Sequence, residues 1–145
     1  MTTRLMTESD AGGIAYLEQQ LFTDPWSEES IRETFRQTHS IIIVAVEQNT
    51  VIGYVIGQRI GDEAEILRLA VSKKRQQAGV GHILLGALKE SRPDKQVRKI
   101  LLDVRESNQN AIDFYLRNEF KKDGIRKDFY RFPHENAVLM SWQNS

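Results

Sequence analysis

At 145 residues, 40% of them hydrophobic and 28% charged, the chain has the length of one domain and enough apolar material for a core under a well-solvated surface. It has no cysteine, which excludes a disulfide scaffold, a thiolate zinc site and a thiol nucleophile, and which fits a reducing cytoplasm, the expected location. The net charge is zero, but residues 1–72 hold 5 Lys and Arg against 11 Asp and Glu, whereas residues 73–145 hold 15 against 9.

That imbalance reads either as scatter over a solvated surface or as two faces, a basic one for an anionic ligand and an acidic one for a cationic ligand. A nucleic-acid binder would usually be basic overall, so no direct nucleic-acid partner is expected. The longest apolar run, residues 41–46, is far shorter than the roughly 20 residues that span a bilayer. The first residues lead into no apolar signal segment, so no membrane partner is expected either.

The chain has no internal repeat, low-complexity stretch or Pro/Gly/Ser linker, and residues 1–145 read as a single domain. Residues 3–6 suit a short strand. Ser9 or Asp10 can cap a helix running to about Phe22, with Ile14, Leu17, Leu21 and Phe22 on one face. After the break at Thr23-Asp24-Pro25-Trp26, Ser27 is a natural N-cap for a second helix, with Glu28 and Glu29 in its first turn. Residues 41–47 and 51–58 are β-branched runs joined as a hairpin, and residues 64–71 form the next strand. Residues 79–91 are helical, with Val80, Ile83, Leu84, Ala87 and Leu88 on one face, and Arg92-Pro93-Asp94 ends that helix. Residues 99–105 are a strand, Asn108 caps a helix through Asn118, and residues 120–122 and 137–142 close the chain as strands. This order predicts an α/β (α+β) fold, a mixed sheet with helices on both faces.

Gln76-Gln77-Ala78-Gly79-Val80-Gly81 lies between a strand and a helix. Two glycines there let the backbone approach a ligand, and the free N–H groups and helix dipole form an anion site. The alternative is a tight strand-to-helix turn without a ligand. Neither the dinucleotide nor the P-loop pattern is completed: Leu84 stands at the third glycine position, and no Gly-Lys-Ser/Thr follows.

Several blocks accompany this turn in order: Pro25-Trp26-Ser27; Gly53-Tyr54; Glu63-Ala64-Glu65-Ile66 leading to Leu69-Ala70-Val71; Gln76-x-x-Gly79-x-Gly81; Leu102-Asp103-Val104-Arg105-x-x-Asn108-x-x-Ala111-Ile112-x-Phe114-Tyr115; and Arg126-x-x-Phe129-Tyr130-x-x-Pro133-x-Glu135-Asn136-Ala137-x-x-Met140. Together they resemble the GNAT superfamily of acetyl-CoA-dependent N-acetyltransferases, and within it the RimI type, the ribosomal-protein-alanine N-acetyltransferases. The resemblance implies a mostly antiparallel sheet in which the strand at 64–71 splays from the strand at 99–105. It also implies acetyl-CoA as co-substrate, lying in the gap. Backbone at Leu69, Ala70 and Val71 would pair with the pantetheine arm. Gln77, Ala78, Gly79, Val80, Gly81 and His82 would cradle the pyrophosphate, and Asn108 would hold the arm further along. The implied partner is a protein N-terminal peptide, that of a small-subunit ribosomal protein beginning with alanine. The chain departs from the family at Gln77, Ala78 and His82, where basic residues are common, at Asp103, where the RimI type usually has Glu, and at Asn136, where Asp is common.

Amide formation from a thioester needs a neutral amine and a protonated leaving group, and an α-amino group has a pKa of about 7.7–8.0. Asp103 is the candidate base, with Glu63 and Glu65 as rivals. Strand alternation puts Leu101, Asp103 and Arg105 on one face and Ile100, Leu102 and Val104 on the other. Its alternative reading is a surface ion pair with Arg105. Tyr115 is the candidate acid, since a phenol keeps its proton at neutral pH; its alternative reading is a core aromatic. Trp26 reads as an anchor of the second helix that can also border an acceptor groove, and Phe129 and Tyr130 can line the opposite wall. His39, His82 and His134 share no ligand spacing, so no metal is expected. The expected function is direct acetyl transfer from acetyl-CoA to a protein N-terminus. A small-amine acetyltransferase (polyamine or aminoglycoside) and a non-catalytic acetyl-CoA sensor are the alternatives.

Overall fold

Strand alternation sorts the apolar residues of the central strands onto two faces, and each face recruits its own helices. The computed structural model describes residues 1–91 and 97–144. The chain order is β1 (Thr2–Leu5), α1 (Ala11–Leu21), α2 (Glu28–Phe35), β2 (Ser40–Glu47), β3 (Thr50–Ile60), β4 (Glu63–Val71), α3 (Val80–Lys89), β5 (Lys99–Arg105), α4 (Gln109–Arg117), β6 (Lys121–Arg131) and β7 (His134–Gln143). Ile42, Val44, Tyr54 and Ile56 pack against Ile14 and Leu17 of α1 and Ile31 of α2. Ile43, Ala45 and Val55 alternate with them and face Leu84, Leu85 and Leu88 of α3, joined by Ile100 and Leu102 of β5 and Ile112 of α4.

Local chemistry sets the element ends. Ser27 accepts a 3.0 Å bond from the N–H of Ser30, as an N-cap should. Asp10 closes the first turn before α1 by accepting from the N–H of Thr7 at 2.8 Å and from Arg4 at 2.7 Å. Gln48 and Asn49 both have positive φ in the two-residue β2–β3 turn, where Glu47 pairs with Thr50. Helix α3 ends at Lys89, and its expected stop at Arg92-Pro93-Asp94 lies outside the described residues.

The strands form one seven-stranded sheet in the order β1-β2-β3-β4-β5-β7-β6, mixed and mostly antiparallel, with helices on both faces. The last hairpin is much longer than expected. In place of strands at 120–122 and 137–142, β6 and β7 run from Lys121 to Gln143 with a short turn between. Among the described residues, no helix is long and apolar enough to cross a membrane.

The parallel pair β4–β5 positions the site. Glu63 to Ile66 pair with Lys99 to Leu102, and the pairing stops there. On its other side β4 carries an extra residue, because Ile56 faces Arg68 while Gly57 faces Ile66, leaving Leu67 as a bulge. Beyond that point β4 and β5 diverge, as the resemblance implied, and the edge of Leu69–Val71 is left without a strand partner on the β5 side.

Candidate active site

A cavity of about 800 Å³ occupies the splay. It is lined by Leu21 and Phe22 from the α1 side of the sheet and by residues of α3 and α4 from the other side, so it reaches past the free edge of β4 from one face to the other. Of the residues singled out in the sequence, Leu69, Ala70, Val71, Gln77, Gly79, Val80, Gly81, His82, Asn108 and Tyr115 all line it. Ala78 and Asp103 lie outside that lining.

The turn into α3 is built for exposed N–H groups. Gln77 has φ +65° and Gly79 φ +84°, and Gly79 is the N-cap with no side-chain bond. The first helical bond is from Ile83 N–H to the Gly79 carbonyl at 3.0 Å, and the N–H groups of Val80, Gly81 and His82 receive no carbonyl from the preceding loop. With the dipole of α3 behind them, these groups suit the phosphates of an anionic ligand. Gly81 has a second reason to be glycine. A Cβ there would sit 2.8 Å from Cζ of Phe114, so its absence lets α4 approach α3. Nothing lies within 4 Å of a Cβ placed on Gly79, so that position is glycine for its backbone angle.

At the far side of this turn Asn118 donates to the Phe114 carbonyl at 2.9 Å, which turns its oxygen toward His82 Nδ1 at 2.7 Å. That bond joins the start of α3 to the end of α4. Asn108 caps α4 by accepting from the N–H of Ala111 at 3.2 Å.

Tyr115 is only 7% exposed and packs edge-on against Phe114 and obliquely against Phe120, both at 5.2 Å between ring centroids. Its hydroxyl makes no hydrogen bond, yet no buried side-chain polar atom among the described residues lacks a partner. The hydroxyl therefore opens into the cavity that Tyr115 lines. Burial raises its pKa, so it holds its proton throughout the neutral range.

Asp103 is exposed on the face of the sheet opposite α3 and α4, as strand alternation predicts. It forms no ion pair with Arg105. Arg105 instead pairs with Glu135 at 3.2 Å, donates to the carbonyl of Pro133 at 3.0 Å and stacks over the ring of Tyr130. The Tyr130 hydroxyl is pushed up by burial first and then by the negative charge of Asp103, with Glu135 and Asp24 adding to it. Asp103 and Asp24 thus stand around Tyr130, on the face that carries α1 and α2. Asn136 receives the N–H of Asp128 at 3.0 Å and serves the hairpin.

Sequence reasoning missed the polar cluster that lies behind Phe22, a residue lining the cavity from the α1 side. Glu18 is fully buried and accepts from the Tyr54 hydroxyl, from the Trp26 N–H at 2.9 Å and from Arg68 Nη2 at 2.7 Å. Arg68 also donates to the Asp24 carbonyl at 2.9 Å, and its guanidinium lies 3.6 Å above the ring centre of Phe22. Glu18 and Arg68 are 50 residues apart, and no local pattern announces their pairing.

The pattern of the acetyltransferase (GNAT) family matches residues 13–120. The chain is 34% identical over 128 residues to the ribosomal protein bS18-alanine N-acetyltransferase of Haemophilus influenzae, with 86% of each chain covered. It is 30% identical over 146 residues to N-alpha-acetyltransferase RimI of Mycobacterium tuberculosis, covering 97% of this chain and 90% of that one. It superposes on the crystal structure of the ribosomal-protein-S18-alanine N-acetyltransferase of Escherichia coli with a TM-score of 0.88 at 26% identity, covering 99% and 94% of the two chains. Arabidopsis thaliana NAA60 in complex with acetyl-CoA shares the fold, with a TM-score of 0.84 at 19% identity over 98% and 97%.

Proposed function

This chain belongs to the acetyltransferase (GNAT) family and is an acyltransferase, and from that premise we propose that it transfers the acetyl group of acetyl-CoA directly to the α-amino group of a protein N-terminus, the alanine of a small-subunit ribosomal protein. The observation that carries the reading is the cavity reaching through the splay, with an N–H cradle on one face of the sheet and the exposed Asp103 on the other. All 145 residues act as one acetyltransferase domain in this proposal.

The backbone of Gln77 to His82 holds the pyrophosphate of acetyl-CoA, the free edge of Leu69, Ala70 and Val71 pairs with its amide arm, and Asn108 steadies that arm. Those residues fit an extended, anionic thioester better than a compact ligand, because the unpaired N–H groups and the unpaired strand edge follow one another along one cavity. Asp103 takes a proton from the incoming ammonium. An aspartate is one methylene shorter than the glutamate usual in this family, so its carboxylate retreats by roughly 1.5 Å and acts through one water. The freed amine attacks the thioester carbonyl, the new C–N bond forms as the C–S bond breaks, Tyr115 Oη gives its proton to the departing sulfur, and the extra proton on the new amide nitrogen leaves to solvent. Solvent returns a proton to Tyr115. Asp24 and Asp103 favour an acceptor that is positively charged beyond its amine.

The test is to incubate the protein with acetyl-CoA and a panel of amines and follow free thiol. Alanine-initiated peptides with basic following residues should be acetylated fastest. Faster turnover of spermidine or an aminoglycoside would assign the protein to small amines, and acetyl-CoA binding without any turnover would make it a sensor.

A further inference from the structure

The zero net charge of the chain conceals one uneven strand. β6 ends the sheet, so one of its edges has no strand partner. It holds five cations, Lys121, Lys122, Arg126, Lys127 and Arg131, against Asp123 and Asp128. Elsewhere Arg4, Arg32, Arg68, Arg75 and Arg105 each pair with a carboxylate. On β6 only Lys121 finds one, Asp123 at 3.8 Å, and the other four cations form no ion pair among the described residues. The same strand and its turn show apolar side chains to water. Ile125 is 54% exposed, Phe129 40% and Phe132 89%, the most exposed large hydrophobic residue among those described. Phe129 is held edge-on by Tyr130 at 5.0 Å between ring centroids, with the Arg126 guanidinium 5.0 Å from its ring centre. Phe132 makes no ring contact among the described residues.

Charges and bulges on an edge strand protect it from pairing with other strands. That accounts for the cations and leaves the aromatics unexplained. A second copy paired edge to edge, centred on the strand, would set Arg126 against Arg126 and Lys121 against Arg131, like charges directly opposed. An acidic peptide added as a further strand needs a regular ladder. β6 breaks its own ladder with register shifts between Lys122 and Gly124 and between Arg126 and Tyr130, and Asp128 has φ +53°. A nucleic-acid strand needs no ladder: its phosphates take unpaired Lys and Arg, and its unstacked bases take exposed aromatic rings.

We propose that the free edge of β6 and the turn after it bind single-stranded RNA, which displays such bases in its loops and ends, with Lys122, Lys127 and Arg131 on phosphates and Phe132 stacked on a base. The binding tolerates many sequences, since every base offers a face to a ring. The surface is separate from the acetyl-CoA cavity, whose lining includes no residue of β6. Tyr130 on the same strand nevertheless stands near Asp103, so RNA on this edge lies beside the acceptor side and keeps an RNA-bound protein within reach of it.

The experiment uses the full chain and a fluorescein-labelled, mixed-sequence single-stranded RNA of about 12 nucleotides, followed by fluorescence anisotropy from about 50 to 200 mM salt. Each phosphate contact on a single strand contributes about −0.7 to the slope of log K against log salt. Lys122→Ser, Lys127→Ser and Arg131→Ser together should therefore make the slope shallower by about 2. Phe132→Ser should weaken binding at least about fivefold, the loss of one stacked base, with the slope unchanged. Both variants should keep the acetyl-CoA Kd from calorimetry within twofold, which shows that they fold. Should the triple variant lose it, Lys127→Ser alone should make the slope shallower by about 0.7. Absence of RNA binding at the lowest salt overturns the proposal, as does an unchanged slope in the cation variants. Unchanged affinity in Phe132→Ser, or displacement of the RNA by poly-glutamate of equal charge, overturns it by reducing the surface to charge alone. Tighter binding of duplex RNA, or of a DNA strand of the same sequence, also overturns it.

Discussion

Tyr115 and Asp103 differ in environment, and their variants should therefore fail differently. The Tyr115 ring packs against Phe114 and Phe120 while its hydroxyl reaches the cavity. Tyr115→Phe keeps the packing, so acetyl-CoA should bind as before while kcat drops by about 10²–10⁴-fold, the usual worth of a positioned proton donor; calorimetry and steady-state rates together check this. Asp103 is exposed and forms no ion pair among the described residues, so its loss should cost little stability. Its contribution should be greatest where the amine is still protonated. Since an α-amino group titrates at about 7.7–8.0, Asp103→Asn should lower kcat/KM most at pH 7 and least at pH 9. Asp103→Glu should keep or raise activity. A pH profile of Asp103→Asn parallel to wild type would remove Asp103 from the proton path and make Glu65 the next residue to test.

Two elements carry predictions of their own. Helix α3 meets α4 at Gly81, where a Cβ would collide with Phe114. Gly81→Val should therefore weaken acetyl-CoA binding and also destabilise the fold by about 1–3 kcal/mol, the typical cost of overpacking. Gly79→Ala collides with nothing and pays only for its positive φ, about 1–2 kcal/mol, so thermal unfolding of the two variants separates packing from cradle. The turn before α1 depends on ionised Asp10. The Arg4 hydrogen bond, chief among several causes, lowers its pKa from the ordinary value. A carboxylate depressed in the folded state stabilises fully above its unfolded pKa of about 3.9 and stops doing so as pH falls through the lower folded value. Asp10→Asn should thus be less stable than wild type at pH 7, by up to about 1 kcal/mol, and the gap in Tm should close as pH falls below about 4. Elements with strong local signals were legible in the sequence: the Ser27 cap, the β2–β3 hairpin, and β5 to the residue. Strand β6 was not, because all its residues but Tyr130 are exposed and two register shifts break its pairing, so no apolar alternation exists to read. For the site, the glycine turn into α3 was visible as a local motif, whereas Tyr115 reads from spacing alone as a core aromatic and was singled out only through the resemblance. The Phe22–Arg68–Glu18 cluster was not visible, since it exists only once α1, β3 and β4 are packed together.

At the scale of the molecule, the uneven charge of the sequence becomes a spatial division. Residues 1–72, with their excess of acids, build β1 to β4 with α1 and α2, and the residues after them build α3, α4 and β5 to β7. The seam between the two parts is the short β4–β5 pairing, and the cavity opens where that pairing ends. Basic peptides should be drawn to the acidic side. Between 0.01 and 0.1 M salt the Debye length shrinks from about 30 to about 10 Å, so kcat/KM for such peptides should fall over that range while kcat changes little, as rates measured across the series will tell. The passage through the sheet has a kinetic meaning as well. If both reactants use the cavity as proposed, its lining from both faces of the sheet would let the thioester dock beside α3 while the amine approaches from the α1 side, so that neither has to leave for the other to arrive. An enzyme working in this way would have no need to store the acetyl group on one of its own side chains between two visits, because its two reactants would meet in a single complex.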